Sequence, residues 1–178
     1  MASQLRVDKI VPVDGVPTGG GGGIIQVRST TKTDTFSMPS NDTSFHTVTG
    51  LSVTITPTRS DSKILVMYDM NWSAIDGHCS CRLMRDSTPI KVGDAASNRS
   101  QVTGQIHYTA NDQYDLENVS GTHMDSPATT SAVTYSMQVG TPYSASYDCT
   151  VNYHSEDGAD LAWSGRGAST ISVMEISG

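Results

Sequence analysis

Histidine, serine and carboxylate side chains are the groups of this sequence that could carry out acid–base or nucleophilic chemistry. No serine lies in a Gly-x-Ser-x-Gly elbow, and the three glutamates (Glu117, Glu156 and Glu175) form no pair at a spacing typical of paired-carboxylate catalysis. The histidines are isolated from one another, without H-x-H or H-E-x-x-H spacing: His46, His78, His107, His123 and His154. We therefore expect no enzymatic activity, and we interpret the histidines as surface or half-buried strand residues.

Three cysteines could form a disulfide or bind a metal. Cys79 and Cys81 lie two positions apart, which places them on one face of a strand, and Cys149 is far away in the sequence. An odd number of cysteines fits a reducing environment better than a disulfide framework, so the preferred interpretation is three core thiols, and the alternative is one bridge to Cys149. Because no fourth ligand accompanies the Cys-Ser-Cys, we expect no zinc site and no cofactor.

An acidic loop and several aromatic residues suggest two weaker possibilities. Residues 155–160 carry three carboxylates that could hold calcium, but the loop lacks EF-hand spacing, and a solvated turn is the preferred interpretation. Aromatic residues with polar neighbours could form a surface on which sugars stack, but their spacing shows no repeat, and core packing with chance exposure is the preferred interpretation. They are Tyr108, Tyr114, Tyr143 and Trp163, together with loop histidines.

The composition indicates that the residues discussed above lie on β-strands and in the turns between them. Ser and Thr supply about a quarter of the 178 residues and charged residues only 16%, which favours exposed strands over helices. Hydrophobic residues alternate with polar ones in several segments, such as Leu51, Val53 and Ile55. Eight or nine such strands with frequent turns predict an all-β fold, an antiparallel β-sandwich of the jelly-roll kind, over residues 24–178.

Residues 63–72 form the most apolar of these segments. Ile64 begins a row of alternate apolar residues that ends at Trp72, and Leu65 and Met67 add apolar side chains to the opposite face. We therefore predict a central strand covered on both faces. A second subunit of a homotrimer could supply the outer cover, which makes Leu65 and Met67 the predicted oligomer interface.

Residues 1–23 differ in composition from the rest of the chain and are predicted to form a separate N-terminal region. Its apolar residues are candidates for anchoring: Leu5, Val7, Ile10, Val11 and Val13. Five consecutive glycines then predict a flexible hinge: Gly19, Gly20, Gly21, Gly22 and Gly23. A phosphate-binding loop is disfavoured because no Lys-Ser/Thr pair and no helix start follow the glycines.

Charge and hydropathy exclude two classes of partner. The net charge is −7 and the basic residues are scattered, so we expect no nucleic-acid partner. No run of about 18 apolar residues occurs, and the first residues lack the apolar core of a signal peptide, so we expect no membrane partner and synthesis in a cytoplasm.

The stretch LRVDKIVPVDGVPTGG at residues 5–20 resembles the N-terminus of small virion proteins of cyanophages and other marine tailed phages. Five further blocks resemble the same fibre-like proteins: residues 50–57, 62–66, 85–90, 93–96 and 168–176. Residues 97–123 and 144–166 depart most from these blocks and are predicted to be variable display loops. The resemblance implies no enzymatic site.

The resemblance implies a bacteriophage virion protein, assembled in the host cytoplasm, with a fibre-like or head-decoration role. Tail fibre, neck fibre and head decoration remain open. The N-terminal peptide is expected to bind another phage structural protein of the capsid, portal, neck or tail by strand addition or in a groove. The alternative is a receptor- or carbohydrate-binding adhesin module whose partner is a host surface glycan.

Overall fold

Eleven β-strands and no helix occur in the residues that the computed structural model describes, 23–75, 77–107, 115–154, 162 and 164–177. The strands are β1 (Ile24–Lys32), β2 (Phe36–Ser37), β3 (Phe45–Ile55), β4 (Lys63–Ile75), β5 (His78–Arg85), β6 (Thr88–Ile90), β7 (Gly104–His107), β8 (Glu117–Asp125), β9 (Val133–Gly140), β10 (Asp148–Val151) and β11 (Ser169–Ile176). Within these residues no helix could cross a membrane.

The strands form two antiparallel sheets. The first sheet has the order β1–β11–β4–β10–β2, with β8 paired along the other edge of β4. The second sheet has the order β3–β9–β5–β6, with β7 also paired to β5. Without β2, β6 and β10, the strand order is β1, β11, β4, β8 in the first sheet and β3, β9, β5, β7 in the second, which is the order of a jelly roll. The predicted all-β sandwich is confirmed.

The core lies between the two sheets and consists of the side chains that alternation predicts to face inward. In β3, Leu51, Val53 and Ile55 are buried. In β4 the buried row runs from Ile64 to Trp72 at alternate positions. The strand β4 is central because β11 and β10 pair with one of its edges and β8 pairs with the other.

The interpretation of residues 97–123 as a display loop is wrong for β7 and β8, and that of residues 144–166 is wrong for β10. The strand β8 pairs with β4 over nine residues, from Asp125 opposite Ile64 to Glu117 opposite Trp72. Its alternate, partly buried positions include Gly121 and His123 rather than a run of large apolar residues. An edge strand with so few apolar side chains lacks the hydrophobic period on which sequence prediction depends.

A disulfide joins the two sheets, between Cys79 of β5 and Cys149 of β10. The preferred interpretation of three core thiols is therefore wrong for these two residues, and the bridge to Cys149 is present. Cys81, two residues after Cys79 in β5, is a buried free thiol as predicted. Burial raises the pKa of the Cys81 thiol to about 12.

Candidate functional site

A cluster of four rings lies where β5, β7 and the loop after β9 meet. His78, the first residue of β5, is paired with His107, the last residue of β7, and their ring centroids are 4.2 Å apart. Tyr143 meets the His78 ring edge-on at 5.6 Å, and Tyr147 stacks on Tyr143 with 6.2 Å between centroids and 15° between planes. The prediction that the histidines are isolated is wrong for this pair, because strand register brings them together.

The backbone beneath these rings is closely fitted and covalently braced. Gly77 has φ +146°, and a Cβ at this position would come within 2.5 Å of the Tyr147 ring. Only glycine adopts this conformation readily and leaves room for the ring. The Cys79–Cys149 disulfide lies one residue after His78 and two residues after Tyr147, so it links the two segments that carry these rings.

A groove of about 500 Å³ lies beside Tyr143, on the same end of the sandwich. Its lining combines polar side chains with one exposed ring: Asn98, Arg99, Ser100, Val102, Gln105, Pro142 and Tyr143. The Tyr143 side chain is 75% exposed. Among these lining residues Arg99 carries the single charge, and none carries a carboxylate. We call this surface the Tyr143 groove.

Hydrogen bonds fix the turn that carries Arg99. The backbone N–H of Arg99 donates to the carbonyl of Ala96 at 3.0 Å, and the N–H of Gly93 donates to the carbonyl of Val102 at 3.4 Å. The side-chain Nε2 of Gln101 donates to the carbonyl of Gly93 at 2.7 Å. The turn is therefore exposed and is braced by three hydrogen bonds.

A second surface lies on the outer face of the first sheet. Val27 is paired with Met174, Met174 with Leu65, and Leu65 with Met124. Because paired residues point to the same side of a sheet, the four side chains form a continuous row across β1, β11, β4 and β8. Leu65 and Met174 are half-buried, whereas Val27 and Met124 are 48% and 49% exposed. We call these four residues the apolar row.

Met67 lies beside the apolar row, two positions after Leu65, and is 39% exposed. It borders a shallow groove of about 410 Å³ whose other lining residues are Tyr68, Asp69, Ser120, Gly121, Thr122, Thr170 and Ser172. Leu65 and Met67 thus occupy the outer face that the alternation in β4 assigns to them. Sequence analysis did not find Val27, Met174 and Met124, because residues on separate strands share no local spacing.

The buried carboxylate of Asp125 has structural partners and is not available for chemistry. Asp125 accepts hydrogen bonds from Arg85 at 2.8 and 3.0 Å and from the Tyr135 hydroxyl at 2.7 Å. Burial, together with this bond to Asp125, raises the pKa of Tyr135 above its usual value. The described residues include no group of three or more His, Cys, Asp or Glu side chains that could hold a metal ion.

Several predicted residues lie outside the described part of the chain. They are the anchoring candidates Leu5, Val7, Ile10, Val11 and Val13, the hinge residues Gly19, Gly20, Gly21 and Gly22, the acidic loop at 155–160, and the aromatic residues Tyr108, Tyr114 and Trp163. Gly23 is described: it precedes β1, its carbonyl accepts a hydrogen bond from Ser177 N at 3.0 Å, and a Cβ there would meet nothing within 4 Å. Close packing therefore does not require a glycine at this position.

The comparisons with known proteins include a weak structural likeness to a viral protein. No protein-family model matches the chain, and no curated protein sequence matches it. Among solved structures, a chain from the structure of infectious bursal disease virus Gx strain aligns with 98% of this chain at 14% identity and a TM-score of 0.35. The alignment spans 45% of that viral chain. At this TM-score the likeness supports no conclusion about fold or function, and the jelly roll is defined by the strand order alone.

Proposed function

We propose that this chain is a non-enzymatic structural protein of a bacteriophage particle, a fibre-like or decoration component that displays a trimeric jelly roll and is attached through residues 1–23. The observation that carries the proposal is the apolar row on the outer face of the first sheet. The resemblance of residues 5–20 and of five later blocks to phage virion proteins supports the same function. The fold fits, since jelly rolls are common in viral capsid proteins.

The apolar row is a reason for the chain to associate with copies of itself. Four of the five large hydrophobic residues that the described chain exposes belong to strands of the first sheet: Ile24, Val27, Met67 and Met124. Soluble monomers rarely leave apolar side chains contiguous on a surface, and covering them stabilises a complex by about 25 cal/mol per Å² of apolar area. In a threefold assembly the same faces of three copies meet near the axis and cover one another with equally apolar side chains.

A closed threefold arrangement suits this sheet better than an open one. In the described residues, β1 and β8 each pair on one side only, so the first sheet has two free edges. Free edges invite further strand pairing, and a closed ring of identical contacts hides them. Three copies also present three N-terminal peptides to the particle, and such avidity can exceed the affinity of one peptide by about 10²–10⁴-fold.

The Cys79–Cys149 disulfide fits a protein that works on an extracellular particle. Disulfides persist on virion surfaces, whereas the cytoplasm in which phage proteins are made keeps thiols reduced. We therefore propose that the bond forms after release of the particle. The expectation of a reducing environment, which rested on the odd number of cysteines, then applies to synthesis in the cytoplasm and not to the released particle.

Labelling of intact particles tests the proposal. An antibody against residues 24–178 should decorate the head, neck or tail of purified virions at a constant position, and light scattering on the purified chain should give a mass near three times 18.9 kDa. Absence of the chain from purified virions would contradict a structural role. A monodisperse monomer at micromolar concentration would contradict the trimer alone.

A carbohydrate-binding module is the second candidate, and the Tyr143 groove is the observation that favours it. The groove lies on the second sheet and the apolar row on the outer face of the first, so both surfaces can be used at once. The two functions are therefore compatible.

A further inference from the structure

We infer that the Tyr143 groove binds an acidic sugar, with the Tyr143 ring stacked on the sugar and the Arg99 guanidinium paired with its carboxylate or sulfate. The inference rests on the groove and does not depend on the trimer or on attachment to a particle. Three features of the groove carry it: an exposed ring supported by neighbouring rings, an arginine without a partner or a carboxylate neighbour among the described lining residues, and a backbone held by hydrogen bonds and a disulfide.

The first feature is the exposure of Tyr143. Its side chain is 75% exposed, and it is the one strongly exposed large hydrophobic residue of the described chain that lies outside the strands of the first sheet. Tyr147 supports the ring by stacking, and His78 contacts it edge-on. A tyrosine held in this way loses little conformational entropy when a ligand covers its free face. The apolar C–H face of a sugar ring is a suitable cover, because its hydroxyl edges remain in water.

The second feature is the charge of the lining. The chain carries a net charge of −7, yet the described residues that line this groove include Arg99 and no carboxylate. No hydrogen bond or ion pair between described residues uses the side chains of Asn98, Arg99 or Ser100. The planar guanidinium of arginine binds carboxylate and sulfate groups through two parallel hydrogen bonds. An anionic group is therefore the complementary partner for this part of the groove.

The third feature is preorganisation. The N–H of Thr103 donates to the carbonyl of Cys81 at 2.8 Å, and Arg82 Nε donates to the carbonyl of Gln101 at 2.8 Å, so the segment after the Arg99 turn is bound to β5. On the other side, the Cys79–Cys149 disulfide holds the strands beneath the rings. The volume of about 500 Å³ lies within the range of about 300–1,000 Å³ that is common for small-ligand sites.

Binding of defined monosaccharides to the full-length chain tests the inference. The probes are glucuronic acid, N-acetylneuraminic acid and galactose 6-sulfate, with neutral glucose and galactose for comparison, measured by saturation-transfer NMR and titration calorimetry. We expect at least one acidic sugar to bind, the matched neutral sugars to bind more weakly, and added salt to weaken the acidic one. Comparison of the carboxylated and sulfated probes identifies the anionic group.

Three substitutions place the binding in the groove. Tyr143→Ala and Arg99→Gln should each lower the affinity by about tenfold or more, and Tyr143→Phe should retain it because the ring remains. Arg59→Gln is the matched control, since Arg59 lies in the loop after β3, at the end of the sandwich opposite the groove. We expect no change in affinity for this variant.

Lack of binding by every acidic sugar at millimolar concentration would overturn the inference. Binding that is unaffected by Tyr143→Ala and Arg99→Gln would also overturn it, as would binding of an acidic peptide or a nucleotide at this groove without any response to sugars. All measurements are repeated on Leu65→Asp, so that loss of the trimer and loss of sugar binding are recorded separately.

Discussion

Cys79 and Cys149 form a disulfide between the two sheets, across a sequence separation of 70 residues and a Cα–Cα distance of 5.6 Å. Because the bond closes such a long segment, it removes much of the conformational entropy of the unfolded chain. We expect the Cys79→Ala, Cys149→Ala double variant to lose about 4 kcal/mol of unfolding free energy, measured by denaturant titration.

Reducing agent provides the control for this prediction. It should lower the denaturant midpoint of the wild-type chain and leave the double variant unchanged. Cys81 should stay unlabelled by iodoacetamide in both folded proteins, because its thiol is buried and its pKa is raised to about 12. Equal stability of the oxidised and reduced wild-type chains would contradict a stabilising bond.

Leu65 lies in the middle of the apolar row, so a substitution there tests whether this row is the trimer interface. A carboxylate at the centre of an apolar interface has no partner and loses its hydration, so Leu65→Asp should give a monomer at micromolar concentration. Light scattering measures the mass, and circular dichroism should show unchanged β-sheet content, because Leu65 is only half-buried within one chain.

Two further variants make this test specific. Met124→Asp, at the exposed end of the same row, should dissociate the trimer without any effect on the core. Thr47→Asp places the same charge on the outer face of the second sheet, where Gln138 Nε2 already donates to the side-chain oxygen at 3.3 Å. We expect this control to remain trimeric, and a trimer that survives Asp at both 65 and 124 would rule out the apolar row as the interface.

Sequence alone predicts the strands whose buried faces are apolar. β3 buries the predicted Leu51, Val53 and Ile55, and β4 buries the predicted row from Ile64 to Trp72. In β4 the buried row is apolar throughout, and in β11 the buried Ile171 and Val173 follow the same alternation, so local sequence and tertiary packing agree at these positions.

The remaining features depend on contacts between distant segments. The disulfide requires β5 and β10 to meet across the sandwich, and the apolar row requires the register of four strands. The Tyr143 groove combines a turn, β7 and the loop after β9, so of its lining only Tyr143 was a candidate. Local spacing in the sequence does not predict contacts between distant segments. The one indication of the groove was the aromatic Tyr143, which the sequence made a candidate for stacking on sugars.

Removal of residues 1–22 should separate folding from attachment. The described core and both sheets lie within residues 23–177, and the carbonyl of Gly23 is bonded to Ser177, so the shortened chain should keep its thermal midpoint. Its incorporation into particles should be lost, as measured by mass spectrometry of purified virions from a complementation experiment. An unfolded product would show that the N-terminal residues belong to the core.

Glu175 gives the fold a predictable response to acid. Its carboxylate is fully buried and accepts hydrogen bonds from Gln26 Nε2 at 2.6 Å and from the N–H and hydroxyl of Thr58 at 2.7 and 2.8 Å. Burial alone would raise the pKa of Glu175, but these hydrogen bonds outweigh it and hold the pKa below the ordinary value of 4.5. The charged form is therefore the one that stabilises the folded chain.

Since the folded-state pKa lies below the unfolded one, the contribution of Glu175 is fully present above pH 4.5 and disappears as the pH falls through the folded-state value. Glu175→Gln should therefore cost about 1–3 kcal/mol of unfolding free energy at pH 7, and this difference from the wild type should shrink below pH 4.5. Glu117→Gln, an exposed glutamate at the start of β8, is the matched control and should change little. If the difference in unfolding free energy between Glu175→Gln and the wild type were the same at pH 7 and in strong acid, the prediction would be contradicted. Glu175 would then stabilise the fold through packing and not through its buried charge.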